Sequence, residues 1–386
     1  MRKYLIIIYI LLPWSVNAQM QQKVLFIGID GCRPDALALA STPNIDALKA
    51  NSTFSTDAMN GGITWSGPGW SNLLCGVRED KHLVTDNNFS PSDYQTYPPF
   101  FSRIEEYDPT IVTAAFTTWF PLDTLLDDKV DVNYYTEYLV GGDALVSDSL
   151  VAYLGSGDPD VIFMYYGDVD GNGHLFGFNP SSPFYISAIE TTDNHVGNLV
   201  NAINNRPNIA NENWLIILST DHGGTGLGHG GTSFVEENIF MIVSGDSIPN
   251  MEIVRDSVFD PGSGTYIDDF GNTPRQVDVM PTIFEFLCIP IESSWGLEGT
   301  SLISACPPIA SQDEFARDTD QALLAFPNPS TGTFHINTIV SSNLKLIVTD
   351  ALGQNVAFDY SKENSGFIIN FLNPRPGLYR LTIIDN

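Results

Sequence analysis

The chain has 386 residues, of which 43% are hydrophobic and 16% charged, a composition that favours a packed core and argues against intrinsic disorder. Its formal net charge is −29, so its surface repels a phosphate backbone, which argues against generic nucleic-acid binding. The length leaves room for one large domain and a smaller one.

Residues 1–18 have the pattern of an export signal peptide. Arg2 and Lys3 form its positive end, residues 5–12 its apolar core, and residues 16–18 a small-residue cleavage site. The apolar core is too short to span a membrane, and no later stretch reaches spanning length. We therefore expect a mature protein that lies outside the cytoplasm and has no membrane span.

Five short apolar runs predict strands that are buried on both faces. Their residues are apolar in succession rather than in alternation, which is typical of a parallel sheet covered by helices. The runs are residues 24–29, 110–116, 161–166, 214–219 and 239–243. The sequence therefore predicts an α/β fold with a mostly parallel central sheet flanked by helices.

Helical patterns occupy the stretches around these runs. They cover residues 44–50, which follow the start signal Ser-Thr-Pro, and residues 69–74, 185–203 and 276–287. This large α/β domain is predicted to extend over residues 22–305, followed by a linker over residues 306–324. Residues 325–386 change to short alternating strands and turns, which predict a small β-sandwich.

The four cysteines do not form a thiolate metal motif. An oxidising compartment would permit a disulfide between Cys288 and Cys306, although the sequence fixes no geometry for it. Cys32 and Cys75 are expected to pack as small apolar groups.

Acidic residues and histidines follow three of the predicted strands. Asp30 follows the first run, Asp170 and His174 come after the third, and Asp221 and His222 end the fourth. Ligands bind at the carboxyl ends of strands in open α/β sheets, so these side chains should share one edge. Because a row of buried carboxylates repels itself, at neutral pH it needs cations or protons. Imidazole together with carboxylate suits Zn²⁺ or a similar ion.

A nucleophile candidate lies just before the predicted helix over residues 69–74. Ser66 fits this place best and Thr64 second, because a helix N-terminus favours an anion. Coordination to a metal would lower the pKa of such a hydroxyl and make it a nucleophile. The alternative is that Ser66 only caps the helix.

These motifs, in this order, resemble the alkaline phosphatase superfamily, specifically its type I phosphodiesterase/nucleotide pyrophosphatase branch. The matching stretches are IDGCRPD (29–35), TWSGPGW (64–70), KHLVTDN (81–87), DGNGHLFG (170–177), STDHG (219–223) and a closing segment that begins with QVDVMPTIF (276–284). The resemblance implies that Ser66 is the nucleophile and that Asn87 contacts the phosphoryl oxygens.

The resemblance also implies two divalent metal ions, Zn²⁺ or alternatively Mn²⁺. One ion would be bound by Asp30, Ser66, Asp221 and His222, and the other by Asp170, His174 and a third histidine. His229 is the candidate for that third ligand, although in the pyrophosphatases proper this histidine comes much later in the chain. Its other possible role is a direct phosphate contact. The remaining histidines of the mature chain are His82, His195 and His335.

The implied function is a secreted two-metal hydrolase that cleaves phosphodiesters or pyrophosphate-linked small molecules through a covalent phosphoserine. The alternatives are a phosphomonoesterase, a sulfatase-like hydrolase, and a catalytically inactive cation-binding surface protein. Arg78 and Lys81 are the candidate cations for a monoester dianion, but they form no dedicated basic pair, which favours diesters. Trp70 stands where sulfatases carry an arginine.

Five aromatic residues could line an apolar pocket for a substituent of the substrate, although core packing is the alternative for most of them. They are Trp65, Trp70, Phe89, Trp119 and Phe120.

Residues 325–386 resemble the sorting domain of type IX secretion in Bacteroidetes-type bacteria. The stretches FPNPSTGTFHI, VTDALGQNV and PGLYRLTI carry this likeness. The resemblance implies the type IX secretion machinery as a partner and a secreted or cell-surface location.

Overall fold

The computed structural model describes residues 20–137, 141–246, 248–255, 273–304 and 306, and six strand segments between residues 324 and 385. The described residues belong to two compact units, one up to residue 307 and the other from residue 308. The predicted signal peptide lies outside the described residues, as does nearly all of the predicted linker.

Eight strands in the described part of the first unit form one sheet. They are β1 (Gln21–Ile29), β2 (Ser52–Met59), β3 (Thr113–Thr117), β4 (Val132–Tyr135), β5 (Val161–Tyr166), β6 (Glu212–Ser219), β7 (Asn238–Ser244) and β8 (Met251–Glu252). Their order is β4-β3-β5-β1-β6-β7-β2-β8, and β7 alone among them runs antiparallel to its neighbours. The predicted α/β fold with a mostly parallel sheet is confirmed.

Helices cover both faces of this sheet. They are α1 (Pro34–Leu37), α2 (Pro43–Lys49), α3 (Ser66–Cys75), α4 (Glu79–His82), α5 (Phe100–Tyr107), α6 (Phe120–Leu126), α7 (Gly142–Ser156), α8 (Asp168–Phe176), α9 (Pro183–Asn204), α10 (Phe234–Glu237) and α11 (Val279–Leu287). Val24 and Phe26 of β1 face a core shared with α3 and α11, whereas Leu25 and Ile27 face a core shared with α7 and α9. This double burial explains the uninterrupted apolarity of the central strands.

Strands β2, β4 and β8 were not predicted. The middle of β2 is polar, with Ser55, Thr56 and Asp57 in succession, and β4 and β8 are short strands at the two edges of the sheet. Helix α3 begins at Ser66 rather than at residue 69, so Ser66 lies in its first turn.

The register of the central strands aligns their carboxyl ends. Ile29 at the end of β1 pairs with Tyr166 at the end of β5, and Gly28 pairs with Ser219 at the end of β6. The segments that follow these three strands therefore start side by side at one edge of the sheet.

The described residues of the second unit form antiparallel sheets, as the predicted all-β module requires. The strands are β9 (Leu324–Phe326), β10 (Thr333–Asn337), β11 (Leu344–Asp350), β12 (Phe358–Glu363), β13 (Gly366–Phe371) and β14 (Tyr379–Asp385). One sheet has the order β12-β13-β10-β9 and the other pairs β11 with β14. Within the described parts of both units, no helix combines the length and apolarity needed to cross a membrane.

Cys288 and Cys306 form a disulfide, with Cα atoms 5.3 Å apart, which confirms the candidate pairing. The bridge joins the residue after α11 to the last described residue of the first unit. Cys32 and Cys75 are free and buried, and burial raises the pKa of both thiols.

The fully buried His82 makes stability depend on pH. Its Nε2 donates to Asn72 Oδ1 at 2.8 Å, and its Nδ1 accepts the Val84 N–H at 3.0 Å, so the ring is neutral. Burial lowers its pKa to about 4 from an ordinary value of 6.5. Since the folded pKa is the lower one, the unfolded chain takes up the proton first, and stability is lost as pH falls below 6.5.

We predict that wild-type protein loses about 2 kcal/mol more of its free energy of unfolding between pH 7 and pH 5 than a His82→Gln variant does. The variant lacks the group whose protonation favours unfolding. Urea unfolding of both proteins at the two pH values measures the difference. An equal loss in both proteins would contradict this role of His82.

Candidate active site

Two side-chain clusters lie at the edge of the sheet where β1, β5 and β6 end. The first contains Asp30 after β1, Asp221 and His222 after β6, and Ser66 at the start of α3. His222 Nε2 lies 3.1 Å from Asp221 Oδ2, 3.6 Å from Asp30 Oδ1 and 3.2 Å from Ser66 Oγ. All four side chains are buried. The helix start approaches closely because position 69 is a glycine: a Cβ there would lie 2.9 Å from the Asp221 Cβ.

Asn87 lies beside the nucleophile candidate. Its Oδ1 accepts the N–H of Gly67 at 2.8 Å, next to Ser66 in the first turn of α3. A backbone N–H can only donate, so this bond determines which end of the amide is oxygen and directs Nδ2 elsewhere. The Gly67 N–H, next to Ser66, is thereby occupied by the Asn87 amide oxygen.

The second cluster contains Asp170, His174 and His229. His229 Nε2 lies 3.1 Å from His174 Nε2 and 3.7 Å from Asp170 Oδ1, and His174 Nε2 lies 3.4 Å from Asp170 Oδ2. Asp170 and His174 are one turn apart on α8. The structure thus brings the predicted residue His229 to the two α8 residues.

His229 reaches this place through a tight hairpin in the glycine-rich segment 223–231, here called the glycine loop. Thr225 and Gly228 exchange both backbone hydrogen bonds, at 2.8 and 3.1 Å, around Gly226 with φ +58°. Glycine suits the first central position of such a turn, where φ is positive. The hairpin reverses the chain direction, so that the His229 ring stacks on the His222 ring with centroids 3.7 Å apart.

All three histidines are held in the same tautomer by backbone carbonyls. Nδ1 of His222 lies 2.8 Å from the Gly223 oxygen, Nδ1 of His174 lies 2.9 Å from the Leu227 oxygen, and Nδ1 of His229 lies 2.8 Å from the Thr64 oxygen. Because a carbonyl only accepts, each Nδ1 carries a hydrogen. When the rings are neutral, each Nε2 presents a bare lone pair to the cluster.

The carboxylates face these lone pairs with unsatisfied oxygens. Asp30 Oδ1, Asp170 Oδ1 and Asp221 Oδ2 are buried and make no hydrogen bond among the described residues. Burial raises the pKa of all three carboxyls, and the Asp30 charge raises those of Asp170 and Asp221 further. Burial also lowers the pKa of His222 to about 3 and that of His229 to about 4.

This arrangement fits divalent metal ions. With the carboxylates ionised and the rings neutral, acceptor atoms face acceptor atoms at 3–4 Å, which leaves each cluster short of positive charge. Two overlapping groups, Asp30–Asp221–His222 and Asp170–His222–His229, hold their ligand atoms close enough together to bind an ion.

Tyr165 and Trp70 orient Asp30, a role that the sequence did not reveal. The Tyr165 hydroxyl and the Trp70 indole N–H both donate to Asp30 Oδ2, at 2.7 and 3.0 Å, which leaves Oδ1 to face His222. Tyr165 lies one residue before the end of β5, a position that could have suggested it. Trp70 is fully buried, which agrees with the core-packing alternative rather than with a place in a substrate pocket.

The other candidate residues have different surroundings. The Thr64 hydroxyl donates to the Gly231 carbonyl at 2.6 Å, so of the two nucleophile candidates only Ser66 lies against His222. Trp65 and Phe120 are exposed, and Phe89 and Trp119 pack together. Among the remaining histidines, His82 is bonded to Asn72, His195 stacks on Tyr166, and His335 lies on β10.

Comparisons of the sequence place this chain in a family. The profile of type I phosphodiesterase/nucleotide pyrophosphatases matches residues 24–256, which is more than half of the chain. The chain therefore belongs to this family, within the alkaline phosphatase superfamily whose fold the first unit adopts. The profile of the secretion system C-terminal sorting domain matches residues 324–386 and indicates export.

Two human proteins are among the relatives. Ectonucleotide pyrophosphatase/phosphodiesterase family member 5 is 25% identical over 245 residues, covering 58% of this chain and 50% of the relative. Family member 7 is 24% identical over 228 residues, covering 53% of this chain and 48% of the relative. The matched part of this chain thus spans about half the length of these curated relatives.

Among solved structures, a phosphonate monoester hydrolase from Silicibacter pomeroyi superposes with a TM-score of 0.52 at 14% identity, covering 75% of this chain and 78% of that one. A 2-O GAG sulfatase superposes with a TM-score of 0.55 at 13% identity, covering 73% of each chain. These likenesses establish the shared fold alone.

We predict that Tyr165→Phe weakens metal binding about tenfold, because the remaining Trp70 bond holds Asp30 less firmly. Titration of the metal-free chain with Zn²⁺ measures the affinity. Tyr166→Phe is the matched control, since this neighbouring buried hydroxyl bonds Ser147 and lies outside both clusters. Equal affinities of the two variants would contradict the role of Tyr165.

Proposed function

We propose that this protein is an exported, two-metal phosphoester hydrolase that cleaves phosphodiesters or pyrophosphate-linked small molecules through Ser66. One observation carries the proposal: three imidazoles direct bare Nε2 atoms at three unsatisfied carboxylate oxygens beside a buried serine hydroxyl. Membership of the family supports the reaction class. The completeness of both clusters disfavours an inactive cation-binding protein.

Asp30, Ser66, Asp221 and His222 would hold one ion, and Asp170, His174 and His229 the other. The mixed imidazole and carboxylate ligands favour Zn²⁺, with Mn²⁺ as the alternative. Bound ions would lower the pKa of the serine hydroxyl and stabilise charge on the attacking and leaving oxygens.

The protein's own groups then determine the geometry of the reaction. Ser66 Oγ gives up its proton to solvent and attacks phosphorus, a new Oγ–P bond forms, and the bond from phosphorus to the leaving oxygen breaks, after which the leaving oxygen takes up a proton from solvent. Water then attacks phosphorus, the Oγ–P bond breaks, the phosphomonoester is released and the serine hydroxyl is reprotonated. Asn87 is positioned beside Ser66 to donate its Nδ2 hydrogens to a phosphoryl oxygen, and such preorganised donors carry much of phosphoryl transfer.

Arg78, Lys81 and Arg33 are already paired within the protein, and this favours a diester over a monoester dianion as substrate. Arg78 is paired with Glu298 and bonded to the Gly61 carbonyl, and Lys81 is bonded to Glu298 and the Gly296 carbonyl. Arg33 is bonded to Asp35 and to two carbonyl oxygens. These charges are engaged in holding the fold together, so the second negative charge of a monoester would lack a dedicated partner.

We further propose that the catalytic domain extends over residues 22–305, after a signal peptide at residues 1–18 and before a linker at 306–324. The sorting domain, residues 325–386, would hand the folded enzyme to the type IX machinery for release or surface display. The match of residues 324–386 to a sorting-domain profile supports this route.

Ser66→Ala should reduce the hydrolysis of bis-p-nitrophenyl phosphate by about 10³-fold or more, because the attacking oxygen is lost. The assay is run with Zn²⁺ or Mn²⁺, in parallel with p-nitrophenyl phosphate and p-nitrophenyl sulfate, and the diester should be cleaved fastest. Ser147→Ala, another buried serine, should retain activity. An unchanged rate in Ser66→Ala would exclude the serine mechanism.

His229→Ala should lower the bound metal from two equivalents per chain towards one, since Asp170 and His174 alone make a weaker site. Metal analysis after gel filtration measures the content. His195→Ala, a half-buried histidine on α9, should keep two equivalents. Full metal content with reduced activity would assign His229 to a phosphate contact instead.

A further inference from the structure

Thr64 makes three hydrogen bonds to the glycine loop. Its hydroxyl donates to the Gly231 carbonyl at 2.6 Å and accepts the Gly230 N–H at 3.1 Å, and its own carbonyl accepts from His229 Nδ1 at 2.8 Å. The residue is fully buried. The hydroxyl and the backbone carbonyl of Thr64 therefore bind three consecutive residues of the glycine loop, His229, Gly230 and Gly231.

These bonds determine where His229 can point. The carbonyl bond forces the hydrogen onto Nδ1 and leaves Nε2 bare towards Asp170 and His174. The hydroxyl bonds hold the backbone on the C-terminal side of the same histidine. The glycines after the hairpin supply little stiffness of their own, because glycine restricts the backbone least.

Thr64 also lies two residues before Ser66. The segment that places the nucleophile against His222 is thus the segment that holds the His229 ring, and the two rings stack at 3.7 Å. A shift of this segment would move the nucleophile and the second cluster together.

We propose that Thr64 is a positioning residue that holds His229 as a ligand of the second metal ion and keeps that ion in register with Ser66. This inference rests on the proposed two-metal function. It adds that the Thr64 hydroxyl compensates for the flexibility of a loop that delivers a ligand only seven residues after His222.

The test compares Thr64→Val, which keeps the shape but loses the hydroxyl, with Thr64→Ser, which keeps the hydroxyl. Thr282→Val is the matched control, because the buried Thr282 hydroxyl likewise donates to a carbonyl, at 2.7 Å, and accepts a backbone N–H, at 3.0 Å, in α11. Competition titration of the full chain with Zn²⁺ measures both dissociation constants, and thermal unfolding of the metal-free proteins measures stability.

Thr64→Val should weaken the binding of Zn²⁺ at the second cluster about 10- to 100-fold and change the affinity of the first cluster by no more than about threefold. Thr64→Ser should bind both ions nearly as tightly as the wild type. Thr282→Val should lower Tm to a comparable extent without changing either constant. If Thr64→Val behaves as Thr282→Val does, the positioning role is wrong although the two-metal function stands. If the wild type binds fewer than two ions, the proposed function fails, and this inference fails with it.

Discussion

Three carboxylates are held close together inside this protein, where β1, β5 and β6 end at one edge of the sheet. Buried like charges cannot remain ionised side by side without compensation. Most of the local structure serves to keep Asp30, Asp170 and Asp221 aimed inward despite that repulsion. The close packing of β1 against both neighbours fixes the positions from which these groups start.

Hydrogen bonds to the remote side of Asp30, of Asp221 and of the three histidines orient these groups. Tyr165 and Trp70 occupy one oxygen of Asp30, and the Gly31 N–H occupies one oxygen of Asp221. Backbone carbonyls occupy Nδ1 of all three histidines. In each case one polar atom is satisfied by the protein and the other is left for a ligand, which is how outer hydrogen bonds commonly tune metal sites.

Much of this edge was predictable because parallel strands carry a strong signal. Continuous apolar runs predicted the central strands. Because the carboxyl ends of parallel strands share an edge, the sequence also predicted that Asp30, Asp170 and Asp221 lie at one edge of the sheet. The polar strand β2 and the short edge strands β4 and β8 lack that signal, so they were missed. The sequence left both a pocket and core packing open for Trp70, because an indole in a core and an indole in a pocket look alike in sequence.

Individual hydrogen bonds and ring contacts between distant segments were beyond sequence reasoning. The resemblance suggested His229 as a ligand, but only the hairpin around Gly226 explains how its ring comes to lie on that of His222. The roles of Tyr165 and Thr64 depend on hydrogen bonds across 135 and 166 residues of chain, respectively. No local pattern in the sequence records such pairings.

The Cys288–Cys306 disulfide has a mechanical consequence for a chain that continues into a sorting domain. It ties the last described residue of the first unit back to the end of α11, and α11 shares a core with the nucleophile helix α3. The bridge closes the chain between the two cysteines into a covalent loop, so tension applied beyond Cys306, or a proteolytic cut there, cannot peel that stretch of chain away from the first unit. The protein can therefore be trimmed or anchored at its C-terminal side without fraying from the loose end up to α11.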